Sequence, residues 1–336
     1  MPRSRPTITD VATSAGVSTA TVSRVINATG PVDKVTAERV RNAINSLNYI
    51  PHAAARTLAS QRTDTIGLLL PEISGGFFQP MVRGVEAGVS EAGFDLLIHT
   101  TQSRLENTHR RPLGEHNTDG LLVFTESLDA KELTRLNSIG FPVVLLHQTP
   151  PNSLKIPVIT IENRTGARQI VEHLIEAHGR RRIVFLQGPE GQEDSTWREE
   201  GYISALKAHG IKFNPCLVAR GEFNRDQARS TMEQMLLDGV EFDAVFAGDD
   251  DAAVGVYQAL RQAGRRIPSE ISVVGFDDQV FAYTLTPALT TVRAPTEQVG
   301  KEAVRLLARL LKGERAEPRL SLPTELVIRE SCGCHG

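Results

Sequence analysis

Short apolar runs alternate with amphipathic stretches from Thr65 almost to the end of the chain, and this alternation limits the possible folds more than any other feature. Continuous apolar runs are typical of strands buried on both faces, as in parallel sheets covered by helices. The predicted strands are 66–70, 94–98, 120–124, 143–146, 183–186, 243–248 and 271–276, and the predicted helices between them are 79–92, 166–177, 199–209, 225–237 and 251–263. The pattern therefore predicts an α/β fold with parallel sheets.

The number of these units favours two lobes over one sheet. A strand–helix unit takes about 30 residues, and this chain has too many of them for one doubly wound sheet of ordinary size. We place the break near residues 161–166. One lobe would span 63–162 plus 292–322, and the other 163–291 plus 323–330. Because ligands of such sheets bind outside the carboxyl ends of the strands, two facing lobes predict a ligand cleft between them.

Residues 9–27, TDVATSAGVSTATVSRVIN, are typical of two short helices joined by a tight turn. Gly16 supplies the permissive backbone that a sharp reversal needs, and Ser18 is placed to cap the second helix with its hydroxyl. The residues spaced to face a small core are Val17, Val22, Val25 and Ile26. A helix-turn-helix places its second helix in the DNA major groove, where the first residues of that helix contact bases. The segment predicts a DNA-binding head.

The charge distribution favours a polyanionic partner for the N-terminal region alone. Eight basic and three acidic residues lie within 1–62, a net charge of +5, whereas the other 29 basic and 37 acidic residues give −8. A basic head on an acidic body is the pattern expected when only the head binds nucleic acid.

Cysteine usage and the N-terminal sequence predict a cytoplasmic protein. Cys216, Cys332 and Cys334 make no disulfide framework, which favours a reducing compartment. The first ten residues contain no apolar core, so we expect no signal peptide. No run of about 18 apolar residues is present, so we expect no membrane span.

Two further helical segments follow the helix-turn-helix. Residues 36–48 are predicted to form a third helix with Thr36 as its N-cap, so that the head would span 1–50. The alanine-rich segment within 51–62 is too short to be a stable helix alone in water, and we predict a hinge that folds only when supported. Its one bulky apolar residue, Leu58, would pack on the body or wedge between base steps in the DNA minor groove.

Seven segments, read in order, carry a family resemblance over nearly the whole chain. They are TITDVATSAGVSTATVSRVIN, VRNAINSLNYIPHAAARTLAS, TIGLLLPEISGGFFQPMVRGVE, DSTWREEGYISAL, AVFAGDDDAAVGVYQAL, IPSEISVVGFDD and PALTTVRAP. With them the chain resembles the LacI/GalR family of bacterial transcription repressors. The resemblance implies a small all-α helix-turn-helix head, a hinge helix, and a two-lobed periplasmic-binding-protein-like core of doubly wound parallel sheets over 63–336. It also implies a homodimer that binds a palindromic operator in double-stranded DNA under the control of a small effector.

For DNA binding, the resemblance implies base contacts by Thr19, Ala20 and Arg24, of which Arg24 can donate a bidentate pair to guanine. Phosphate contacts would position the head without specifying sequence. The positions implied for the remaining DNA contacts are Ser18, Thr21, Ser23 and Asn27, with Leu58 as the minor-groove wedge and Arg56 beside it.

For the effector, the resemblance implies a site made by Phe78, Gln192, Asp194, Arg198, Phe223, Asp249 and Asp277, with His147 and Gln148 as weaker candidates. Phe78 and Phe223 would offer aromatic faces to a polyhydroxylated ring. Arg198 would bridge two ligand oxygens with its planar guanidinium, in one loop with Gln192 and Asp194. Asp194 followed by Arg198 is more similar to galactose-type repressors than to the purine repressor, which favours a sugar or sugar derivative.

Simpler structural roles compete at several of these positions. Acidic residues suit the dipole at a helix start, and we assign only that role to Asp250 and Asp251. Asp278 is predicted to cap a turn. We assign Phe77 to the core and its neighbour Phe78 to the cleft, with the reverse left open.

Other functions remain as alternatives to an effector-controlled repressor. The chain could be a cytoplasmic carbohydrate-binding protein without operator function, or a repressor controlled by a partner protein. We predict no enzyme and no cofactor, because the sequence has no Walker-type loop, no nucleophile elbow and no metal-spaced histidine pair. Cys332, Cys334 and His335 suggest a zinc site, but structural zinc usually takes four ligands, so we predict a mobile C-terminal tail and no metal.

Overall fold

The computed structural model describes residues 6–27, 30–49, 62–101, 113–151 and 154–334. Two compact units divide the chain, Met1–Asp64 and Thr65–Gly336. The predicted hinge helix, with Arg56 and Leu58, and the terminal His335 lie outside the described residues, so their roles stay predictions, as does a domain boundary at residue 50. Across the described residues, no helix combines the length and the apolar character needed to cross a bilayer.

Three helices form the smaller unit: α1 (Ile8–Ala15), α2 (Thr19–Asn27) and α3 (Lys34–Leu47). Thr7 and Asp10 form a reciprocal capping box at the start of α1. Gly16 follows α1 with φ of +63°, a left-handed conformation that glycine adopts without steric cost. The predicted cap of α2 is confirmed, because Ser18 Oγ accepts a hydrogen bond from Thr21 N–H at 3.2 Å.

The third helix begins earlier than predicted. Asp33 has an extended backbone and its carboxylate accepts a hydrogen bond from Thr36 N–H at 2.9 Å, so Asp33 is the N-cap and the predicted cap at Thr36 is wrong. Asp is at least as good a cap as Thr, and its upstream position adds a turn to α3. The three helices enclose a small core of Val11, Ala12, Ala15, Val22, Val40, Ala43 and Tyr49, against which Val17, Val25 and Ile26 pack as predicted.

The larger unit is built from alternating strands and helices. Its strands are β1 (Thr65–Leu70), β2 (Asp95–Thr100), β3 (Gly120–Phe124), β4 (Val143–Leu146), β5 (Val158–Ile161), β6 (Ile183–Gln187), β7 (Val218–Arg220), β8 (Ala244–Ala247), β9 (Ser272–Val274), β10 (Thr291–Arg293), β11 (Arg319–Leu322) and β12 (Glu325–Val327). Its helices are α4 (Phe78–Ala92), α5 (Ala130–Ser138), α6 (Asn163–His178), α7 (Glu193–Ala208), α8 (Arg225–Leu237), α9 (Asp250–Gln262) and α10 (Thr296–Leu311).

Two parallel sheets organise this unit, so the predicted α/β fold class is confirmed. The first sheet has the order β11-β5-β4-β3-β1-β2, and the second has the order β7-β6-β8-β9. A short antiparallel pair, β10 with β12, accompanies them. The sequence patterns did not predict β5, β7 and β11. These strands have only three or four residues, and β7 and β11 are partly exposed, so neither has a long apolar run.

Two helices start earlier than their apolar periodicity predicted. α6 begins at Asn163 rather than near 166, and α7 begins at Glu193 rather than near 199. The first turns of both helices carry buried polar side chains, Asn163 on α6 and Asp194 and Ser195 on α7, so they do not show the expected apolar stripe. Asp194 and Arg198 therefore lie one turn apart on α7, and the prediction that they share a loop with Gln192 is wrong.

The C-terminal segment packs against the second sheet. Ser331 Oγ donates to Val273 O at 2.6 Å, and Val273 N–H donates to Ser331 O at 3.0 Å. Cys332 is completely buried. The predicted mobile tail is wrong for residues 331–334, because these hydrogen bonds fix the segment to β9.

Candidate functional site

A cleft of about 260 Å³ lies at the carboxyl ends of strands from both parallel sheets. Residues that follow β1 and the last residue of β3 line one side, and residues that follow β6, β7, β8 and β9 line the other. All seven predicted effector residues line this effector cleft: Phe78, Gln192, Asp194, Arg198, Phe223, Asp249 and Asp277. The topology thus brings together residues separated by up to about 200 positions in sequence, at the edge where ligands of parallel sheets bind.

Arg198 is the centre of the buried hydrogen bonds in the cleft. Its guanidinium donates to Asn163 Oδ1 at 2.9 Å, to Gly248 O at 2.6 Å and to Asp277 Oδ1 at 3.2 Å. Its Cζ lies 3.8 Å from the ring centroid of Phe276. Only 2% of the residue is exposed, so these contacts hold the guanidinium in one place.

Asp194 is the second buried charge of the cleft. One carboxylate oxygen lies 2.8 Å from His147 Nδ1, and the other accepts a hydrogen bond from Asn163 Nδ2 at 2.8 Å. Burial alone would raise the pKa of Asp194, but His147, Arg198 and Asn163 together hold this pKa below its ordinary value. Asn163 joins Asp194 to Arg198 because it donates to one and accepts from the other.

Asp249 and Asp277 follow neighbouring strands of the second sheet. Their pKa values are raised, whereas that of Asp194 is lowered. Burial, and then the nearby Asp277 carboxylate, raise the pKa of Asp249 to about 8. Burial also raises the pKa of Asp277, although Arg198 opposes that rise. Asp249 Oδ1 caps α9 through a 2.8 Å bond from Ala252 N–H. Asp277 has φ of +105°, and backbone strain of this kind often occurs at ligand sites.

Aromatic rings cover the opposite side of the cleft. Phe77, Phe78 and Phe124, which we call the aromatic wall, contact one another edge-on with centroids 5.2 to 5.9 Å apart. Both Phe77 and Phe78 are half-buried and line the cleft, so the predicted assignment of Phe77 to the core alone is wrong. Asp194, Arg198, Asp249 and Asp277 form what we call the polar wall.

Phe223 approaches the polar wall from the second sheet. Its ring centroid lies 5.2 Å from Arg198 Cζ. A Cβ added at Gly188 or Gly248 would lie 2.3 Å or 2.9 Å from this ring. Glycine at these two positions therefore makes room for the aromatic face that the sequence predicted.

Gln279 was missed by the sequence analysis. It is 6% exposed and lines the cleft, yet neither its Oε1 nor its Nε2 has a hydrogen-bond partner among the described residues. Leaving a buried amide unpaired costs about 1–3 kcal/mol, so an external partner would offset that cost. The sequence feature that could have predicted Gln279 is its position two residues after Asp277.

Asp250 and Asp278 have larger structural roles than predicted. Asp250 is fully buried and accepts hydrogen bonds from Thr291 Oγ1 at 2.6 Å and from Gln279 N–H at 2.7 Å, so it fixes the loop after β9. Asp278 does not cap a turn but forms ion pairs with Arg293 and Arg329. His147, a weaker candidate in the sequence, and Asn163, which was missed, complete the network around Asp194.

Those predicted DNA-contacting residues that the structure describes lie on α2 or directly before it. Thr19, Ala20 and Arg24 are exposed, as a base-contacting face requires. Asn27 Nδ2 donates to Ser23 Oγ at 3.2 Å, and the Ser18 hydroxyl is engaged as the helix cap. Thr21, Ser23 and Asn27 are half-buried. DNA contact by these residues stays a prediction.

Comparisons with known proteins agree with this architecture. Residues 7–52 match the family described as bacterial regulatory proteins, lacI family, and residues 171–332 match the periplasmic binding protein-like domain. The HTH-type transcriptional regulator CelR of Thermobifida fusca is 38% identical over 341 residues, which cover 98% of this chain and 99% of that protein.

Two solved structures show the likeness over nearly the whole chain. The transcriptional regulator CelR–cellobiose complex has a TM-score of 0.73 at 34% identity, over 97% of this chain and 100% of that one. The lac repressor dimer bound to operator and the anti-inducer ONPF has a TM-score of 0.83 at 26% identity, over 98% of this chain and 99% of that one.

Proposed function

This chain belongs to the lacI family of bacterial regulatory proteins, and we propose that a sugar or sugar derivative in the effector cleft controls its binding to an operator. The chain is a DNA-binding transcriptional regulator with a helix-turn-helix head. The effector, the residues that hold it and the residues that contact DNA are the parts that we propose.

The observation that carries the proposal is the pairing of unlike walls across the effector cleft. The aromatic wall offers ring faces to the apolar C–H face of a sugar. Opposite it lie Asp249 and Asp277. The Gln279 amide, which has no hydrogen-bond partner among the described residues, lines the same cleft beside Gly76. A hydroxyl both donates and accepts hydrogen bonds. A carboxyl whose pKa is about 8, as for Asp249, is largely protonated at neutral pH and also does both.

The polar wall would fix the orientation of that ligand. Arg198, Asn163 and Asp194 hold one another through buried hydrogen bonds, so little side-chain freedom remains to be lost when a ligand binds. Small-molecule sites commonly combine apolar lining with a few fixed polar groups. We propose that the bound sugar is released unchanged, as expected for a regulator.

We propose that operator binding uses the exposed face of α2. Arg24 would read guanine, and Thr19 and Ala20 would contribute hydroxyl and methyl contacts. Two copies of the chain would read the two halves of a palindromic site. A sugar that binds one conformation of the core better than another shifts the population of DNA-competent dimers. Couplings of about 1–3 kcal/mol would change operator affinity roughly 5–150-fold.

The test begins with DNA selected by the protein itself from a random pool, because selection needs no prior operator. Fluorescence anisotropy of the selected duplex is then titrated with sugars, starting with cellobiose because the CelR structure holds it, followed by monosaccharides and sugar phosphates. We expect one sugar class to change operator affinity within the range above and to raise the melting temperature of the protein. Arg24→Ala is the matched variant that should lose DNA binding and keep the sugar-induced rise.

Each alternative has its own outcome. The protein could bind DNA tightly while no sugar changes its DNA affinity or its melting temperature. That result would overturn effector control and favour a repressor controlled by a partner protein. Sugar binding without selection of any DNA sequence would favour the carbohydrate-binding protein without operator function.

A further inference from the structure

Two histidines and two cysteines meet far from the effector cleft. His173 and His178 lie near the end of α6, and Cys332 and Cys334 lie in the segment after β12. Their four potential ligand atoms all lie within 4.8 Å of one another. The cluster joins residues about 155 positions apart in sequence, and neither the effector cleft nor the helix-turn-helix uses any of them.

Three sulfur–nitrogen distances within this cluster are close to those of a tetrahedral metal site. Cys332 Sγ and Cys334 Sγ lie 3.4 Å and 3.7 Å from His173 Nε2, and Cys334 Sγ lies 3.4 Å from His178 Nε2. Zinc–sulfur and zinc–nitrogen bonds of about 2.3 Å and 2.0–2.1 Å, set at the tetrahedral angle, place sulfur and nitrogen about 3.6 Å apart. The three observed distances fall around that value.

Two neighbouring hydroxyl groups hold Cys332 in place within the cluster. Ser272 Oγ donates to Cys332 O at 2.7 Å, and Thr290 Oγ1 lies 3.2 Å from Cys332 Sγ as a donor. A hydrogen bond to the sulfur, such as the one from Thr290 Oγ1, orients a metal-bound thiolate. Gly333, between the cysteines, has φ of +116°, and a Cβ there would lie 3.0 Å from His178 Nδ1. Glycine is therefore required for the two cysteines to face the same histidine pair.

We propose that His173, His178, Cys332 and Cys334 bind one divalent transition-metal ion, with Zn²⁺ as the preferred species. Two thiolates balance the charge of the ion and two neutral imidazoles complete its coordination. Thiolate and imidazole select zinc-like ions over Mg²⁺ or Ca²⁺, which prefer oxygen ligands. Four protein ligands leave no open position, so the site is structural rather than catalytic. The ion ties the C-terminal segment to the end of α6, whose first residue, Asn163, contacts Arg198 and Asp194 in the effector cleft.

The experiment uses the full chain without a polyhistidine tag, reduced with a phosphine and freed of metal with a chelator. Zn²⁺ and Co²⁺ are then added separately. We expect one ion per chain, and for Co²⁺ the intense visible bands of a tetrahedral ion together with thiolate-to-cobalt charge transfer. Zn²⁺ should raise the melting temperature, as for any ligand that binds only the folded state. The proposal does not depend on sugar control, so no sugar is needed.

Variants locate the ion. Cys334→Ser and His173→Ala each remove a ligand at a half-buried position, and both should weaken Zn²⁺ binding by more than about 100-fold, beyond the effect typical of an outer-shell partner. Cys216→Ser is the matched control, because Cys216 is exposed and outside the cluster, and it should bind Zn²⁺ as the unsubstituted chain does. Circular dichroism of the metal-free variants checks that they fold.

Three results would overturn the proposal. The first is reduced protein that binds no Zn²⁺, or whose cobalt spectrum lacks thiolate charge transfer. Because the spectrum is recorded on the unsubstituted chain, it tests the proposal even if the variants fail to fold. The second is Zn²⁺ binding that survives both substitutions. The third is a Cys332–Cys334 disulfide, seen as a mass two hydrogens lighter, that persists in the phosphine-treated protein and prevents metal binding.

Discussion

The two walls of the effector cleft are built on different principles. On the polar wall, Arg198 and Asp194 already form hydrogen bonds with other residues of the protein. On the aromatic wall, the side chains of Phe77, Phe78 and Phe124 cannot form hydrogen bonds of this kind, and they contact one another edge-on. The rings of Phe77 and Phe124 also contact the His147 ring. The polar wall is therefore a preorganised network whose disruption should cost folding stability. The aromatic wall should contribute ligand affinity, and replacing one of its half-buried members, Phe77 or Phe78, should cost the fold little.

The largest effect expected from this contrast is on the polar wall. Arg198→Met keeps an apolar stem but leaves the Asp277 carboxylate, Asn163 Oδ1 and Gly248 O without their donor. Removing one partner of a buried charge pair costs about 3–5 kcal/mol. We expect a loss of that size in the free energy of unfolding, measured by urea denaturation, and complete loss of the sugar response in the operator assay.

Arg164→Met is the matched control for this prediction. Arg164 pairs with Glu200 on the surface, with more than 45% of each side chain exposed, and such pairs contribute about 0–1 kcal/mol. If Arg198→Met were no more destabilising than Arg164→Met, the polar wall would not be a stability-bearing network and the contrast between the walls would fail.

Gln279 tests the comparison with a polar side chain that lines the cleft beside Gly76 but does not belong to the hydrogen-bond network of the polar wall. Gln279→Met removes an amide whose side-chain oxygen and nitrogen have no partner in the described part of the chain, so the unfolding free energy should stay the same or rise. Two hydrogen bonds to a ligand, at about 0.5–1.5 kcal/mol each, predict roughly 5–150-fold weaker sugar binding. Calorimetric titration measures the affinity. The exposed Gln262→Met is the control, and equal affinities for the two variants would remove Gln279 from the site.

The same contrast shows what a sequence can reveal. The long apolar runs predicted the main strands, because a strand buried on both faces must be apolar throughout. The seven predicted effector residues all line one cleft. Their positions came from the family resemblance and not from any local sequence pattern. Asn163 and Gln279 were missed because no local pattern distinguishes an unpaired or bridging amide from an ordinary surface one. Likewise, Cys332 and Cys334 looked like a tail because His173 and His178 reach them only through the topology of the second sheet.

The acidic residues of the polar wall provide a test by pH. Asp249 has a pKa of about 8 in the folded chain against an ordinary 3.8, so between these values only the folded state holds the proton. Unfolding then releases a proton, and stability falls as pH rises, by up to about 1.4 kcal/mol per pH unit, until it levels off above pH 8. Asp249→Asn mimics the protonated acid and keeps a good helix cap. We expect its stability to fall less than that of the unsubstituted chain between pH 6 and 8 in urea titrations.

The control for the pH test is Asp129→Asn. Asp129 also caps a helix, through a bond of 2.8 Å from Glu132 N–H, but it is exposed. Its substitution should leave the slope of stability against pH as it is in the unsubstituted chain. If Asp249→Asn showed that same slope, Asp249 would be ionised in the folded chain at neutral pH, and the polar wall would offer a carboxylate rather than a carboxylic acid to the ligand.

The smallest expected effect lies on the aromatic wall. Phe78→Leu keeps an apolar side chain of similar bulk but removes the flat ring, so the contacts of Phe124 with Phe77 remain. Edge-on aromatic pairs contribute about 0.5–1.5 kcal/mol beyond their buried area. We expect the unfolding free energy to fall by no more than that. Sugar affinity should fall about 3–10-fold, which corresponds to about 0.6–1.4 kcal/mol, since an aromatic ring is lost from the cleft. Leu237→Ala, at a surface position that is 81% exposed, controls for the loss of an apolar side chain outside the cleft.

A Phe78→Leu chain that lost as much stability as Arg198→Met would contradict the contrast between the walls. The aromatic wall would then contribute to folding stability as much as the polar wall does.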